Sequence, residues 1–107
     1  MIFAFATDER TLMVFPTESE AIAYCEGIDV EDGLWQFFGG DGQRLEAVFT
    51  KPNVRGSFTV VSGRYLLQPI TRHSAPSLLD VLPQVVAVDG RPPFTSVAEI
   101  KRLITSA

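Results

Sequence analysis

The feature that most constrains this chain is the rhythm of its apolar runs. Stretches of five to seven residues rich in Phe, Val, Ile and Leu recur at 1–6, 11–15, 34–38, 44–50, 57–61 and 64–68, separated by polar, Gly-containing or Pro-containing breaks. Runs of that length are strand-sized, and short connections make consecutive strands antiparallel neighbours. Residues 1–6 and 11–15 form a first hairpin about Thr7-Asp8-Glu9-Arg10. Residues 34–38 and 44–50 form a second about Gly39-Gly40-Asp41-Gly42, with Leu45, Ala47 and Phe49 on one side. Residues 57–61 and 64–68 form a third about Ser62-Gly63. Apolar residues on both faces of 34–38 and, in places, of 44–50 imply that part of the sheet is covered on both sides.

Helix signals are confined to a few places. Thr17 and Glu20 have the spacing of a capping box ahead of Ala21, Ile22 and Cys25, and Gly27 is a natural stop, which predicts a helix over about 17–26. Ser96 and Glu99 repeat the signal before the stripe Val97, Ile100, Leu103 and Ile104, predicting a helix over about 96–106 with Lys101 and Arg102 toward water. Residues 77–82 have room for one or two helical turns before Pro83, and 85–88 for a short extended segment. The expected fold is α+β: an antiparallel sheet of about five or six strands with two main helices packed against it, as a single domain over 1–107.

Composition supports this. The 107 residues suit one core, and a 46% apolar content with eight Phe and only 21% charged residues is enough to fill it. No apolar run approaches the ~20 residues of a membrane span. The first six residues lack the basic start and the length of a signal peptide. One Cys excludes an internal disulfide and a Cys-based zinc cluster. These points imply a cytoplasmic address and no membrane partner. The net charge of −4 opposes non-specific binding to nucleic acid and favours a basic partner.

Charge is sorted along the chain. Glu26 to Asp32 holds four acids in seven residues, 17–33 holds six acids and no base, and 47–79 holds four bases and no acid. The acids Glu26, Asp29, Glu31 and Asp32 alternate with Ile28, Val30, Leu34 and Trp35, giving apolar anchors within a charged rim, as in protein interfaces. Glu26, Asp29, Glu31, Asp32 and Trp35 are therefore the candidate partner-binding residues, weighed against a merely solvated acidic loop.

Other chemistries fit less well. Cys25 and His73 are the lone thiol and imidazole, but Cys25 lies on an apolar stripe and His73 in a polar loop. Asp29 to Gly33 lacks the acid spacing of a calcium loop, and Gly39 to Gln43 lacks the helix that a phosphate loop needs. The bases of 47–79 are too widely spaced for a nucleic-acid groove, although Phe49, Phe58 and Tyr65 lie among them as potential stacking groups. No catalytic residue, metal or cofactor is assigned.

The run Phe15-Pro16-Thr17, then Glu20 through Glu31, the aromatic strand with Trp35, Phe37 and Phe38, the segment Gly56 to Tyr65 and the closing helix after Pro93-Phe94 together resemble a small bacterial immunity protein of the contact-dependent or polymorphic-toxin type. The resemblance lies in size, layout and acidity. It implies a non-enzymatic, cytoplasmic protein that neutralises one cognate protein toxin, often a nuclease, by covering its active site or substrate groove. The alternative is a small self-associating regulatory or ligand-binding domain without catalysis, joined as a homo-oligomer through an exposed sheet edge or the Trp35 region.

Overall fold

A computed structural model describes residues 1–70 and 75–105. Along the chain run β1 (Ile2–Ala6), β2 (Thr11–Phe15), α1 (Glu18–Tyr24), α2 (Gly27–Glu31), β3 (Trp35–Gly39), β4 (Arg44–Lys51), β5 (Val54–Arg55), β6 (Val60–Val61), β7 (Arg64–Pro69), α3 (Leu78–Val81), a 3-10 turn (Leu82–Gln84), β8 (Ala87–Asp89) and α4 (Val97–Thr105). The fold is α+β. Six strands form one sheet in the order β7-β4-β3-β1-β2-β8, and β5 and β6 form a separate two-stranded sheet.

The centre of the sheet follows from β1, whose five residues are all buried. Its alternation divides the core between two layers. Ile2 and Ala4 pack with Phe15, Ala21, Cys25, Phe37, Leu45 and Tyr65 on the α1 side. Phe3 and Phe5 pack with Leu12, Phe38, Leu78, Val81, Leu82 and Ile100 on the other. Phe3, Phe38, Leu12, Leu78 and Ile100 are among the largest fully buried side chains, each contributing roughly 1.5–3 kcal/mol of burial. Coverage on both faces is limited to the middle of the sheet. Glu46, Val48 and Thr50 of β4 are exposed, while Leu45, Ala47 and Phe49 point inward.

The first two hairpins form as the turn chemistry predicts. β1 and β2 pair from Ile2↔Phe15 to Ala6↔Thr11. The β3–β4 turn closes with the Gly39 N–H donating to the Gln43 carbonyl at 2.9 Å and Gly42 at φ +84°. The Gly-rich segment is thus a hairpin turn.

Three expectations need correction. The sheet is mixed, because β8 runs parallel to β2, from Thr11↔Ala87 to Met13↔Asp89. From the β7 edge the chain returns through α3 and the 3-10 turn, which bury Leu78, Val81 and Leu82 on one face, and it reaches the opposite edge parallel to β2. The third hairpin is also different. Residues 60–61 pair with 54–55, Val54↔Val61 and Arg55↔Val60. β7 pairs instead with β4, with a register shift between Phe49 and Lys51. Gly63 permits the crossing, since a Cβ there would lie 2.0 Å from the Lys51 carbonyl oxygen. Finally, the first helix ends at Tyr24 and a second short helix occupies Gly27–Glu31, where the sequence suggested a loop.

The helix caps are legible in the sequence. The Glu20 N–H donates to Thr17 Oγ1 at 3.2 Å, and the Glu99 N–H to Ser96 Oγ at 3.2 Å. Glu18 has a further role. Its Oε1 accepts the N–H of Leu67 at 2.8 Å, occupying a backbone donor of the edge strand β7.

Candidate partner-binding surface

The acidic run is built by the break between α1 and α2. Cys25 leaves the helix in an extended conformation (φ −90°, ψ 98°), as does Glu26 (φ −62°, ψ 142°). The Tyr65 hydroxyl donates to the Cys25 carbonyl, so a buried polar group crosses from β7 to hold the break. Gly27 then passes close to the end of β4; a Cβ there would meet Asn53 Oδ1 at 2.6 Å and Phe49 Cε1 at 3.2 Å. Gly27 is thus the point of closest approach between α2 and its neighbours.

Asn53 fastens this corner. Its Nδ2 donates to the Gly27 carbonyl at 3.0 Å, and its Oδ1 accepts the Gly63 N–H at 2.7 Å. On the far side of α2 the Thr7 hydroxyl donates to the Gly33 carbonyl at 2.9 Å, and the Thr7 N–H to the Leu34 carbonyl at 3.0 Å. The Leu34 N–H returns to the Asp29 carbonyl at 3.0 Å, and Gly33 takes φ +78° to allow the turn. α2 is therefore fixed at both ends, to the β5–β6 root and to the β1–β2 turn.

These attachments separate the five residues singled out from the sequence. Glu31 and Asp32 both receive Arg55 Nη2, at 3.3 and 2.7 Å, so a base from the cationic segment neutralises part of the acidic one. All three side chains are about half exposed (47% for Arg55, 52% for Glu31, 48% for Asp32), so the pairs contribute little to stability. Glu26 is exposed and borders a different hollow, alongside Ser19, Ile22, Arg64 and Leu66. Asp29 and Trp35 do meet. They line a cleft of about 170 Å³ together with Asp8, Glu9, Thr11, Met13 and Tyr24.

That cleft gathers acids that lie far apart in the sequence. Three carboxylates (Asp8, Glu9 and Asp29) share its walls with two aromatic rings. Tyr24 is 58% exposed and stacks edge-on against the half-buried Trp35, with centroids 6.0 Å apart and planes at 80°. Phe15 supports Tyr24 from below at 5.6 Å. Carboxylates and aromatic rings lining one cleft suit a guanidinium or ammonium group, by charge pairing and by cation–π contact. Sequence reasoning missed Asp8, Glu9 and Tyr24. The first two were read only as turn residues, and their distance from Asp29 along the chain concealed the grouping.

Cys25 is fully buried, and its thiol is pushed up to about 12 by desolvation and then by the nearby Asp29 charge. It is a neutral thiol across the physiological range. His73, its conceivable partner, and Arg72 lie outside the described residues. Phe49 and Tyr65 belong to the α1-side core, 5.5 Å apart, so of the three aromatics in the basic segment only Phe58 is free to stack on a base. Among the described residues, no three thiol, imidazole or carboxylate side chains converge as a metal site, and no helix is long and apolar enough to cross a membrane.

Comparison of the chain with protein-family models, with curated proteins and with solved structures returned no match.

Proposed function

We propose that this protein acts by binding: an immunity protein that neutralises a cognate toxin, with a basic nuclease as the target class, by placing acidic and aromatic side chains over the toxin's active site or substrate groove. The observation that carries this reading is the gathering of Asp8, Glu9 and Asp29 around Tyr24 and Trp35 in one cleft. A nuclease must hold a polyanion, so its groove presents Lys and Arg. Carboxylates on a rigid body attract such a groove at long range, and the aromatic pair supplies the apolar anchor. The reading needs no cofactor and no catalytic residue, and it places the protein in the cytoplasm, where the toxin would act.

α2 contributes in two ways. Asp29 belongs to the cleft, whereas Glu31 and Asp32 are shared with Arg55 and hold the far end of the helix beside the hairpin root. Glu26 faces a separate hollow beside α1 and is a second, independent acidic contact in this reading.

The reading predicts that a toxin domain is encoded beside this chain, and its test is neutralisation of that domain. Cells producing that domain should survive when the chain is co-expressed. With purified proteins, the triple variant Asp8→Asn, Glu9→Gln, Asp29→Asn should associate about tenfold or more slowly at low ionic strength, the size expected from loss of electrostatic steering. Association unchanged by these substitutions at every ionic strength would refute the role of the cleft, and failure of the unmodified chain to protect would refute the reading itself.

A further inference from the structure

The β5–β6 hairpin stands apart from the core and carries the most exposed apolar surface of the described residues. Phe58 at its tip is 100% exposed, and Val54, Val60 and Val61 are 52%, 62% and 52% exposed. A two-stranded ribbon of this size is marginally stable alone in water, yet this one has a firm root. Asn53 ties it to Gly27 and Gly63, Arg55 ties it to Glu31 and Asp32, and the Gly56 N–H closes the tip on the Thr59 carbonyl at 2.7 Å. An apolar tip on an anchored base is a presented surface.

Its surroundings indicate what fits it. Lys51 and Arg64 flank the hairpin root and are exposed, and among the described residues the ion pairs are those of Arg55 alone. Glu31 and Asp32 lie directly beside it and keep about half of their side-chain surface in water. Cations, apolar side chains and anions thus adjoin in one patch. A two-fold axis through such a patch can set the cations of one copy against the anions of the other with the apolar side chains between them, which makes the patch self-complementary, as an isologous interface requires. A uniformly basic or acidic partner would match only one half of it. The β7 edge of the sheet is less suited to self-association, because Glu18 occupies the Leu67 N–H and Pro69 has none.

We propose that the β5–β6 hairpin is a homodimerisation arm, packing Phe58, Val54, Val60 and Val61 against the same residues of a second copy, with Lys51 and Arg64 reaching that copy's Glu31 and Asp32. This goes beyond toxin binding and leaves the Asp8–Asp29–Trp35 cleft free on each copy.

Sedimentation equilibrium of the purified full chain over a wide concentration range tests it. The unmodified protein should sediment at twice the chain mass at the upper end. Phe58→Ser with Val60→Thr should weaken self-association by about tenfold or more, as loss of a central apolar anchor does. These exposed positions leave the core intact, and an unchanged thermal transition will verify this. Arg64→Glu should weaken it less, and rising ionic strength should do the same. A monomer at all concentrations would overturn the proposal, as would a dimer indifferent to the hairpin substitutions. Binding of a monomeric protein to phosphatidylglycerol vesicles, lost in Phe58→Ser, would also overturn it and assign the hairpin to an anionic lipid surface.

Discussion

The two layers on either side of β1 are built differently. Beneath α3 and α4 the core consists of Phe3, Phe5, Leu12, Phe38, Leu78, Val81, Leu82 and Ile100, without a polar side chain among them. Beneath α1 the core includes Cys25 and Tyr65, and a set of side-chain-to-backbone hydrogen bonds surrounds it: Tyr65 to Cys25, Asn53 to Gly27, Gly63 to Asn53, and Leu67 to Glu18. Apolar burial is non-directional and supplies stability, whereas hydrogen bonds specify position. The α3/α4 layer therefore holds the molecule together. The α1 layer places α2, the acidic cleft and the hairpin arm.

The strongest challenge to this division is Phe38→Ala, which should cost about 3–5 kcal/mol in denaturant unfolding. A loss below 1 kcal/mol, on the scale of a surface change, would mean the α3/α4 layer is not the main source of stability. Gly63→Ala should follow at about 1–3 kcal/mol, because its Cβ would collide with the Lys51 carbonyl and backbone must move. It should also disturb the hairpin, visible as faster amide exchange at residues 53–63. Tyr65→Phe should cost about 1–2 kcal/mol by leaving the Cys25 carbonyl unpaired, and should loosen α2 more than α4 in the same exchange experiment.

Base sensitivity sharpens the contrast, since Cys25 and Tyr65, the buried titratable side chains among the described residues whose neutral forms burial favours, lie in the α1 layer. Unfolded, Cys25 would ionise near 9.0 and Tyr65 near 10.0; folded, burial holds the thiol to about 12 and pushes the phenol up further. Above pH 9 the unfolded chain has thus released protons that the folded chain retains, so stability falls as pH rises. Cys25→Ala should move the onset of that fall up toward the tyrosine range in melts taken across alkaline pH. The smallest effect is expected for Arg55→Ala, a loss of no more than about 0.5 kcal/mol, because its ion pairs are half exposed. A loss above 2 kcal/mol would show that the hairpin root supports the core.

Much of the fold is legible along the chain. Residues 1–6 form the expected strand and pair with 11–15 as the first hairpin, Thr17 and Ser96 mark the starts of α1 and α4, and Gly39 to Gly42 turns where its composition says it should. The pairing of 57–61 was misjudged because Ser62-Gly63 has the composition of a two-residue turn, while the decisive fact is the packing of Gly63 against Lys51 and Pro52. β8 escaped as a parallel strand because three residues carry no record of direction. The candidate surface was half legible. Asp29 and Trp35, two of the five residues singled out, line one cleft, but Glu31 and Asp32 pair with Arg55, and Asp8, Glu9 and Tyr24 went unnoticed.

The division has a physical basis. Periodicity, caps and turn residues act between positions a few residues apart, so the sequence by itself determined most strands of the six-stranded sheet, the starts of the two main helices and the sorting of acids from bases. Which charges meet depends on contacts between residues more than twenty positions apart, such as Arg55 with Glu31 and Asp32, or Thr7 with Gly33. Only the tertiary structure decided those. It folded part of the basic segment back onto part of the acidic one, and it brought the acids of the first turn beside Asp29.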